Sequence, residues 1–355
     1  MPANIKHLYI HVPFCKSKCP YCDFFSIPNS NKKEIDSYTD AVIKEIEFFS
    51  DTLSKDLDSV YFGGGSPLMA GPDNIRKILN TISAFISKKT ELSIELNPEH
   101  IEDSSEFLDL GFNRMSIGVQ TINKDILAKI KRTYNFDKLV DNIKKIKDKN
   151  IDLSIDIMFG LPDQKLEHLE KDLQFLIDQG TTHVSCYLFT PPNGYERTKS
   201  CASDSLTEKM FNTIHNVLYD HGYEHYEISN YCLNNKICRH NMAYWERRSY
   251  LGIGAGAHSF IFEDKERRWH KKDIYSYMDD PLSFEEIESI SPQMAITEEI
   301  MLGLRLLNTG IKTDKLKDKE YQILIDRGLL SLSGERVLVT KHGVPLLDYI
   351  ITSLI

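Results

Sequence analysis

The first 190 residues alternate short apolar, β-branched runs with longer amphipathic segments, and this alternation constrains the fold more than any other feature. The candidate strands are residues 8–12, 59–62, 92–96, 115–119, 153–158 and 184–189. Helical patterns separate them, as at residues 33–49 and 136–149. Strands of this kind are typical of a sheet covered on both faces, and the alternation predicts parallel strands with right-handed crossovers. Six such units are too few to close an eight-stranded barrel, so we predict an α/β fold with a partial, splayed barrel.

The glycine-rich and unusual polar elements fall at the carboxyl ends of these candidate strands. The run at residues 63–67 (GGGSP) follows the second strand, and Glu95 closes the third. Gln120 ends the fourth, and Asp156 lies near the end of the fifth. Taken singly, a glycine run is more often a turn and a lone carboxylate is usually solvated. Because ligand sites of parallel α/β sheets lie at this edge, the pattern predicts a single site there.

Three cysteines, Cys15, Cys19 and Cys22, lie on a loop directly after the first candidate strand. At this spacing their thiols can converge on one point, and soft thiolates select zinc, copper(I) or an iron–sulfur cluster. Structural zinc takes four ligands, and residues 23–25 do not continue the pattern. A four-iron cubane held by three cysteines would leave one iron open to another chelator. A zinc half-site, or a disulfide with a spare thiol, is the alternative.

Composition narrows the classes of protein to which the chain could belong. The chain has 355 residues, of which 41% are hydrophobic and 27% charged, as in an ordinary globular protein of one or two domains. A net charge of −9 argues against a general nucleic-acid role. We see no secretory signal and no apolar run near the ~20 residues of a membrane helix. Seven cysteines, three of them clustered, favour a reducing cytoplasm.

The alternation stops after Thr190, where residues 191–194 (PPNG) predict a turn. A helical stretch near residues 206–220 follows, and then a segment that contains the motif HNMAYW. From residue 292 on, helical patterns at 294–307 and 314–327 precede a hairpin-like pair around Gly334 and a final helix. These patterns predict a small, mostly helical C-terminal domain that resembles a winged helix.

The C-x3-C-x2-C loop resembles that of the radical S-adenosylmethionine (SAM) enzymes. Together with YIHVPFC, YFGGGSP, RMSIGVQ, DIMFGLP and HNMAYW, it resembles one branch of that superfamily over essentially the whole chain. The branch holds oxygen-independent coproporphyrinogen III oxidases and the HemW-type haem chaperones. The oxidases carry a further cysteine where this chain has Phe24, and a longer segment than the 14 residues ahead of Cys15. Both departures favour the chaperones.

This resemblance implies a TIM-like radical SAM core barrel over residues 1–230, a connecting segment over 231–290 and a small C-terminal domain over 291–355. It implies a [4Fe–4S] cluster, SAM bound at the open iron, and haem carried as cargo to apo-haemoproteins, with an electron-donor protein as a further partner. The alternative is a coproporphyrinogen III oxidase that decarboxylates two propionates by radical chemistry to form protoporphyrinogen IX. Whether the protein is an enzyme therefore stays open, with the chaperone favoured.

The same resemblance assigns residues to each group. The cluster ligands are Cys15, Cys19 and Cys22, and the SAM-contacting residues are Tyr9, Tyr21, Gly64, Gly65, Ser66, Glu95, Gln120, Arg132 and Asp156. Relatives often carry Arg-x-His where Arg132 lies, and Tyr134 replaces that histidine here. The haem candidates are His240, Tyr244 and Trp245 of the HNxxYW motif, with His258 as a second candidate ligand. An imidazole can ligate haem iron and aromatic rings can stack on the macrocycle, but a structural histidine is an equally good interpretation.

Overall fold

The computed structural model describes residues 4–190, 201–263 and 265–355, so the turn predicted at 191–194 lies outside the described residues. Seventeen strands occur in the described chain: β1 (His7–Val12), β2 (Phe14–Cys15), β3 (Ile27–Pro28), β4 (Ser59–Gly64), β5 (Glu91–Leu96), β6 (Arg114–Gln120), β7 (Asp152–Phe159), β8 (His183–Leu188), β9 (Glu224–Glu227), β10 (Asn230–Cys232), β11 (Tyr250–Ile253), β12 (His258–Ile261), β13 (Glu266–Trp269), β14 (Glu286–Ser289), β15 (Ile311–Lys312), β16 (Leu330–Ser333) and β17 (Arg336–Val339).

Eleven α-helices occur in the same ranges: α1 (Lys32–Phe49), α2 (Pro72–Ile82), α3 (Lys124–Lys129), α4 (Phe136–Asp148), α5 (Leu166–Asp178), α6 (Asp204–Asp220), α7 (Arg239–Trp245), α8 (Ile274–Asp279), α9 (Pro292–Gly303), α10 (Asp318–Asp326) and α11 (Leu347–Leu354). Shorter 3₁₀ segments lie at Ser50–Thr52, Pro67–Ala70, Ser83–Phe85, Pro98–Asp109, Thr313–Lys315 and Val344–Leu346. None of the helices that the structure describes combines the length and the hydrophobicity that a membrane crossing requires.

Strands β1, β4, β5, β6, β7 and β8 run parallel in that order, which confirms the predicted incomplete α/β barrel. Apolar side chains stand in register across the sheet, as in the pairs Ile10–Phe62 and Phe62–Ile94, and all three are fully buried. Burial on both faces explains why these strands read as continuous apolar runs.

The second half of the chain covers both edges of this barrel. β11 pairs in parallel with β1, and β12, β13 and β14 add antiparallel strands beyond it. At the other edge β10 pairs antiparallel with β8, and β9 follows. The result is one sheet of twelve strands, in which β1 and β8 do not pair with each other. Covering the edges satisfies backbone groups that an open sheet would expose.

Helix α1 shows how the outer layer is fixed. Asn31 caps its first turn: the Asn31 side chain accepts from the Glu34 N–H (3.1 Å), and the Glu34 carboxylate accepts from the Asn31 N–H (3.0 Å). On the inner face, the fully buried Glu45 accepts hydrogen bonds from Tyr277 Oη (2.6 Å) and from the Gly254 N–H (3.1 Å). These bonds tie α1 to the strands that extend the barrel.

The C-terminal residues form a hydrophobic cluster of their own, centred on Leu304, Val337 and Ile350. It packs α9, α10 and α11 around the three-stranded sheet β15–β17–β16, and β16 and β17 form the hairpin predicted around Gly334. Two predicted helices are longer than the observed ones. α9 ends at Gly303 because the chain then bonds to β9, with the Leu307 N–H donating to Tyr226 O (3.2 Å). α10 begins only at Asp318, after a 3₁₀ turn.

Candidate functional site

A cavity of about 450 Å³ opens at the carboxyl ends of the barrel strands, and we call it the rim cavity. It is lined by the three cysteines and by seven of the nine residues that the resemblance assigns to SAM: Cys15, Cys19, Cys22, Tyr21, Gly64, Gly65, Glu95, Gln120, Arg132 and Asp156. Ser66 is buried and donates its backbone N–H to Phe14 O (2.8 Å), whereas Tyr9 lines a different cavity. Residues from five strand ends therefore meet at one edge of the sheet.

The short pair β2–β3 carries the cysteine loop to this edge, and a turn with a Cys22 N–H to Cys19 O bond (3.1 Å) brings two of the thiols together. All three thiols are half-buried, and this burial raises their pKa values, that of Cys15 to about 11. The ligand-free thiols are therefore protonated at neutral pH, and a metal must displace the protons. Among the described residues no three ligand side chains stand close enough to share one metal ion. In a four-iron cubane, by contrast, each thiolate binds a different iron, so the three thiols need not meet at a single metal ion.

Arg132 is the cation next to the cysteines. Its side chain is almost fully buried, donates to Tyr21 Oη (3.1 Å) and Asn97 Oδ1, and lies 3.8 Å from a Glu99 oxygen. Its positive charge works against burial by lowering the pKa values of the three thiols. Within the described chain its Nε has no hydrogen-bond acceptor. The site therefore holds a buried donor that an anionic ligand group could satisfy.

Two carboxylates face the rim cavity without an ion-pair partner among the described residues. Glu95 accepts from Tyr61 Oη (2.8 Å) and from the Gly64 N–H (3.3 Å), and Asp156 accepts from Ser116 Oγ (3.0 Å). Burial raises the pKa of Glu95 to about 7 and that of Asp156 to about 6. Acceptors of this kind suit a ligand that brings hydroxyl groups or a positive charge.

Backbone geometry shapes two walls of the cavity. Gly64 has φ +109°, and a Cβ there would stand 2.6 Å from the His11 ring, so the chain turns where only glycine fits. Gln120 has φ +68°, although it is not glycine, and a bulge between β6 and β7 falls between Gly118 and Gln120. Bulges and strained residues often occur at sites where a side chain must be redirected.

A second cavity of about 530 Å³, the aromatic cleft, lies beside the first. Its walls are mainly aromatic and its rim is charged: Tyr9, His11, Asp23, Phe24, Phe25, Tyr244, Trp245, Arg247, Tyr250, His258, Phe260, Arg267, Lys272 and Glu298 line it, among others. Asp23 and Phe24 line both cavities, and Phe24 is 64% exposed. The cysteine loop is therefore the wall between them.

The HNxxYW motif forms α7, and the structure separates its members. Tyr244 and Trp245 line the aromatic cleft, while His240 is buried and lines neither cavity. Its Nδ1 is hydrogen-bonded to Ser59 Oγ (2.8 Å) and its Nε2 to Tyr244 Oη (2.8 Å), and burial lowers its pKa to about 3. This imidazole could reach a haem iron only after losing one of those bonds.

A buried ion pair fixes the start of α7. The Glu91 carboxylate accepts from the backbone N–H groups of Arg239 and His240 (both 3.1 Å), and from Arg114 Nε (3.2 Å). Arg114 also donates to two backbone carbonyls just ahead of the helix. Neither this pair nor Tyr61 and Ser116 could be predicted as site residues, because their partners are not neighbours in the sequence. The only signal in the sequence was that Tyr61 and Ser116 lie inside predicted strands and that Glu91 directly precedes one.

An incomplete parallel barrel with three cysteines at its carboxyl rim defines the radical SAM class of protein, and residues 9–176 match the family model of the Radical SAM superfamily. "Heme chaperone HemW" of Buchnera aphidicola subsp. Schizaphis graminum is 37% identical over 76% of this chain and 75% of its own length. "Heme chaperone HemW" of Buchnera aphidicola subsp. Acyrthosiphon pisum is 31% identical over 95% and 94%. The chain therefore belongs to the HemW family, and the resemblance read from its motifs is confirmed.

The architecture also matches a solved structure, the coproporphyrinogen III oxidase HemN of Escherichia coli, described as a radical SAM enzyme. The TM-score is 0.84 with 18% sequence identity, and the match covers 99% of this chain and 90% of HemN. At this level of identity the likeness concerns the fold.

Proposed function

We propose that this protein is a haem chaperone, which holds a [4Fe–4S] cluster and SAM in the rim cavity and carries haem in the aromatic cleft. The observation that carries the proposal is that the two cavities lie side by side and share Asp23 and Phe24. The curated relatives named as haem chaperones, which match 76% and 95% of the chain, support the same function.

The donor set of the rim cavity fits the cluster and SAM. Three thiols at one cavity edge suit a cubane with one iron left open, which supplies a chelation point for SAM and a source of single electrons. The buried carboxylates of Glu95 and Asp156 offer acceptors for the ribose hydroxyls and the amine of SAM. The Arg132 Nε, which makes no hydrogen bond to a described residue and lies 3.8 Å from Glu99 Oε1, could donate to the SAM carboxylate. Ser66 would act indirectly, since its backbone N–H holds β2 in place.

The aromatic cleft fits a flat, mostly apolar macrocycle with anionic edges. Tyr244 and Trp245 present rings to it, and the Trp245 indole N–H has no acceptor among the described residues. We assign His240 the role of holding Tyr244 through its Nε2 bond, and Tyr9 a place in the cleft wall. The exposed Phe24 ring, where the oxidases have a cysteine, puts an apolar surface between cargo and cluster.

We further propose that the protein delivers haem to an apo-haemoprotein in the cytoplasm. A separate electron-donor protein would reduce the cluster. The three rim thiols support a reducing compartment, because thiolate clusters are lost when their ligands oxidise. The proposal requires no turnover of a porphyrin.

The decisive experiment incubates the anaerobically reconstituted protein with SAM and either haem or coproporphyrinogen III. We expect stoichiometric haem uptake, read by its Soret absorption, and no protoporphyrinogen IX. Robust formation of protoporphyrinogen IX would instead establish the oxidase.

Matched cysteine variants test the rim cavity in the same preparation. Cys15→Ala combined with Cys19→Ala and Cys22→Ala should abolish binding of about four irons per chain. Cys201→Ala removes a thiol that is also half-buried but lies outside the rim cavity, and it should keep the full iron content. Equal iron loss in both variants would contradict the assignment.

A further inference from the structure

The iron of a haem held in the aromatic cleft needs a ligand, and the two histidines that line the cleft differ in availability. His11 is buried and both of its ring nitrogens are engaged, Nδ1 with Tyr9 Oη (3.0 Å) and Nε2 with Phe25 O (2.9 Å). His240, outside the cleft, is also engaged at both nitrogens. Neither nitrogen of the exposed His258 has a hydrogen-bond partner among the described residues, and its ring faces the cleft.

The fold holds His258 in a defined place. It is the first residue of β12, opposite Trp269 on β13, and the two rings lie nearly parallel, with centroids 5.4 Å apart and planes inclined by 20°. Stacking on a cross-strand indole restricts the rotation of the imidazole. Partial burial and the nearby charges of Lys272 and Arg267 lower its pKa, which favours the neutral form that binds metals.

The charges around the cleft single out one cation. Arg247 and Arg267 both bind the Glu298 carboxylate, Arg247 at 2.8 Å, so their charges are partly neutralised. Lys272 lines the same cleft, and no carboxylate of the described chain lies within ion-pair distance of it. Beside largely aromatic walls, an unpaired ammonium group favours an anionic ligand group.

We propose that His258 is the axial ligand of the haem iron in the aromatic cleft and that Lys272 binds a haem propionate. This inference rests on the proposed function, because it names the contacts of the cargo. Its chemistry is a coordination bond from a neutral imidazole nitrogen to iron and an ion pair, with no covalent change in the macrocycle.

The test titrates the full-length, reconstituted protein with ferric haem and follows the absorption and electron paramagnetic resonance spectra. His258→Ala should lose the spectrum of a histidine-ligated haem and weaken binding by about tenfold, and added imidazole should restore the spectrum. His221→Ala, an exposed histidine outside the cleft, should behave as wild type. His240→Ala serves as the rival variant: if it alone removes the ligand signal, or if His258→Ala changes nothing, the inference is wrong. If the wild-type protein takes up no haem, the proposed function itself fails.

Haem dimethyl ester, which lacks the propionate charges, tests the second contact. Lys272→Gln should weaken haem binding by about five- to tenfold and leave binding of the ester unchanged. The neighbouring Lys271→Gln is the matched control, since Lys271 is equally exposed but does not line the cleft. An equal loss for haem and ester, or no loss for either, would overturn the role of Lys272. Iron content of the rim cavity, measured in each variant, reports that the fold is intact.

Discussion

Burial decides the charge state of individual side chains at the rim cavity. Glu95 and Asp156 lie at strand ends where little water reaches them, and this burial raises the pKa of Glu95 to about 7 and that of Asp156 to about 6. Their positions could be predicted from the sequence, since they follow apolar runs of defined length. Their protonation could not, because it depends on Tyr61, Ser116 and the other strand ends that surround them.

The glutamate at residue 95 gives a stability prediction. Because its pKa rises from 4.5 to about 7 on folding, the native protein holds this proton more tightly than the unfolded chain, and wild-type stability falls as pH rises from 4.5 through 7. Glu95→Gln, which stays neutral, should therefore stabilise the ligand-free protein by roughly 3 kcal/mol at pH 8 and hardly at all near pH 4.5. Urea unfolding at both pH values measures this difference. The exposed Glu47→Gln should have almost no effect, and a pH-independent gain at Glu95 would contradict the explanation.

Whole elements were predicted well where the signal is local. Six strands and the helices α1 and α4 appear within a few residues of their expected bounds, because buried apolar runs and helix caps are determined by residues that are close in the sequence. The bulge at Gln120 and the early end of α9 were missed, since each depends on a pairing with a distant strand. The placement of α7 is of the same kind: the motif could be recognised, but the Glu91–Arg114 pair that positions the helix bonds to backbone groups more than 100 positions later in the chain.

The Glu91–Arg114 ion pair gives a prediction about what holds α7 in place. Glu91→Gln would leave the Arg114 guanidinium buried without its counter-charge and weaken the hold on the helix start, so we expect a loss of about 3 kcal/mol in the free energy of unfolding. Asp73→Asn breaks the exposed pair with Arg76, whose atoms are only 2.7 Å apart, and should cost less than about 1 kcal/mol. Denaturant titration compares the two variants. Similar losses would mean that the buried pair does not anchor α7.

At the scale of the whole molecule, the described residues form three hydrophobic clusters, and the barrel strands that carry the cavities belong to the largest one. The cluster around Leu304 and Ile350 draws on residues from 300 onward, with few contributions from earlier in the chain. Its helical patterns and hairpin were predictable, whereas the way residues 231–290 extend the large sheet was not, because β11 pairs with a strand more than 200 residues earlier.

Truncation in the C-terminal cluster around Leu304 and Ile350 should therefore spare the rim cavity. Ile350→Ala removes a fully buried side chain and should lower the free energy of unfolding by about 3 kcal/mol, with unchanged iron content in the reconstituted protein. Ile355→Ala makes the same chemical change at a side chain that is 49% exposed and should cost well under 1 kcal/mol. Unfolding curves measure the two losses of stability, and iron analysis measures the cluster content of each variant. Loss of iron from Ile350→Ala would show that the rim cavity depends on the C-terminal cluster.

The aromatic cleft is walled by residues from both ends of the chain, Tyr9 from the first strand and Glu298 and Leu302 from α9. All the residues assigned to cluster and SAM precede residue 160. On the ribosome the amino-terminal part emerges first, so the segments that carry these assigned residues are complete before α7 and α9 contribute to the two cavities. A nascent chain that stops short of α9 thus already carries the residues proposed to bind the cofactors, but it lacks one wall of the cleft proposed for haem.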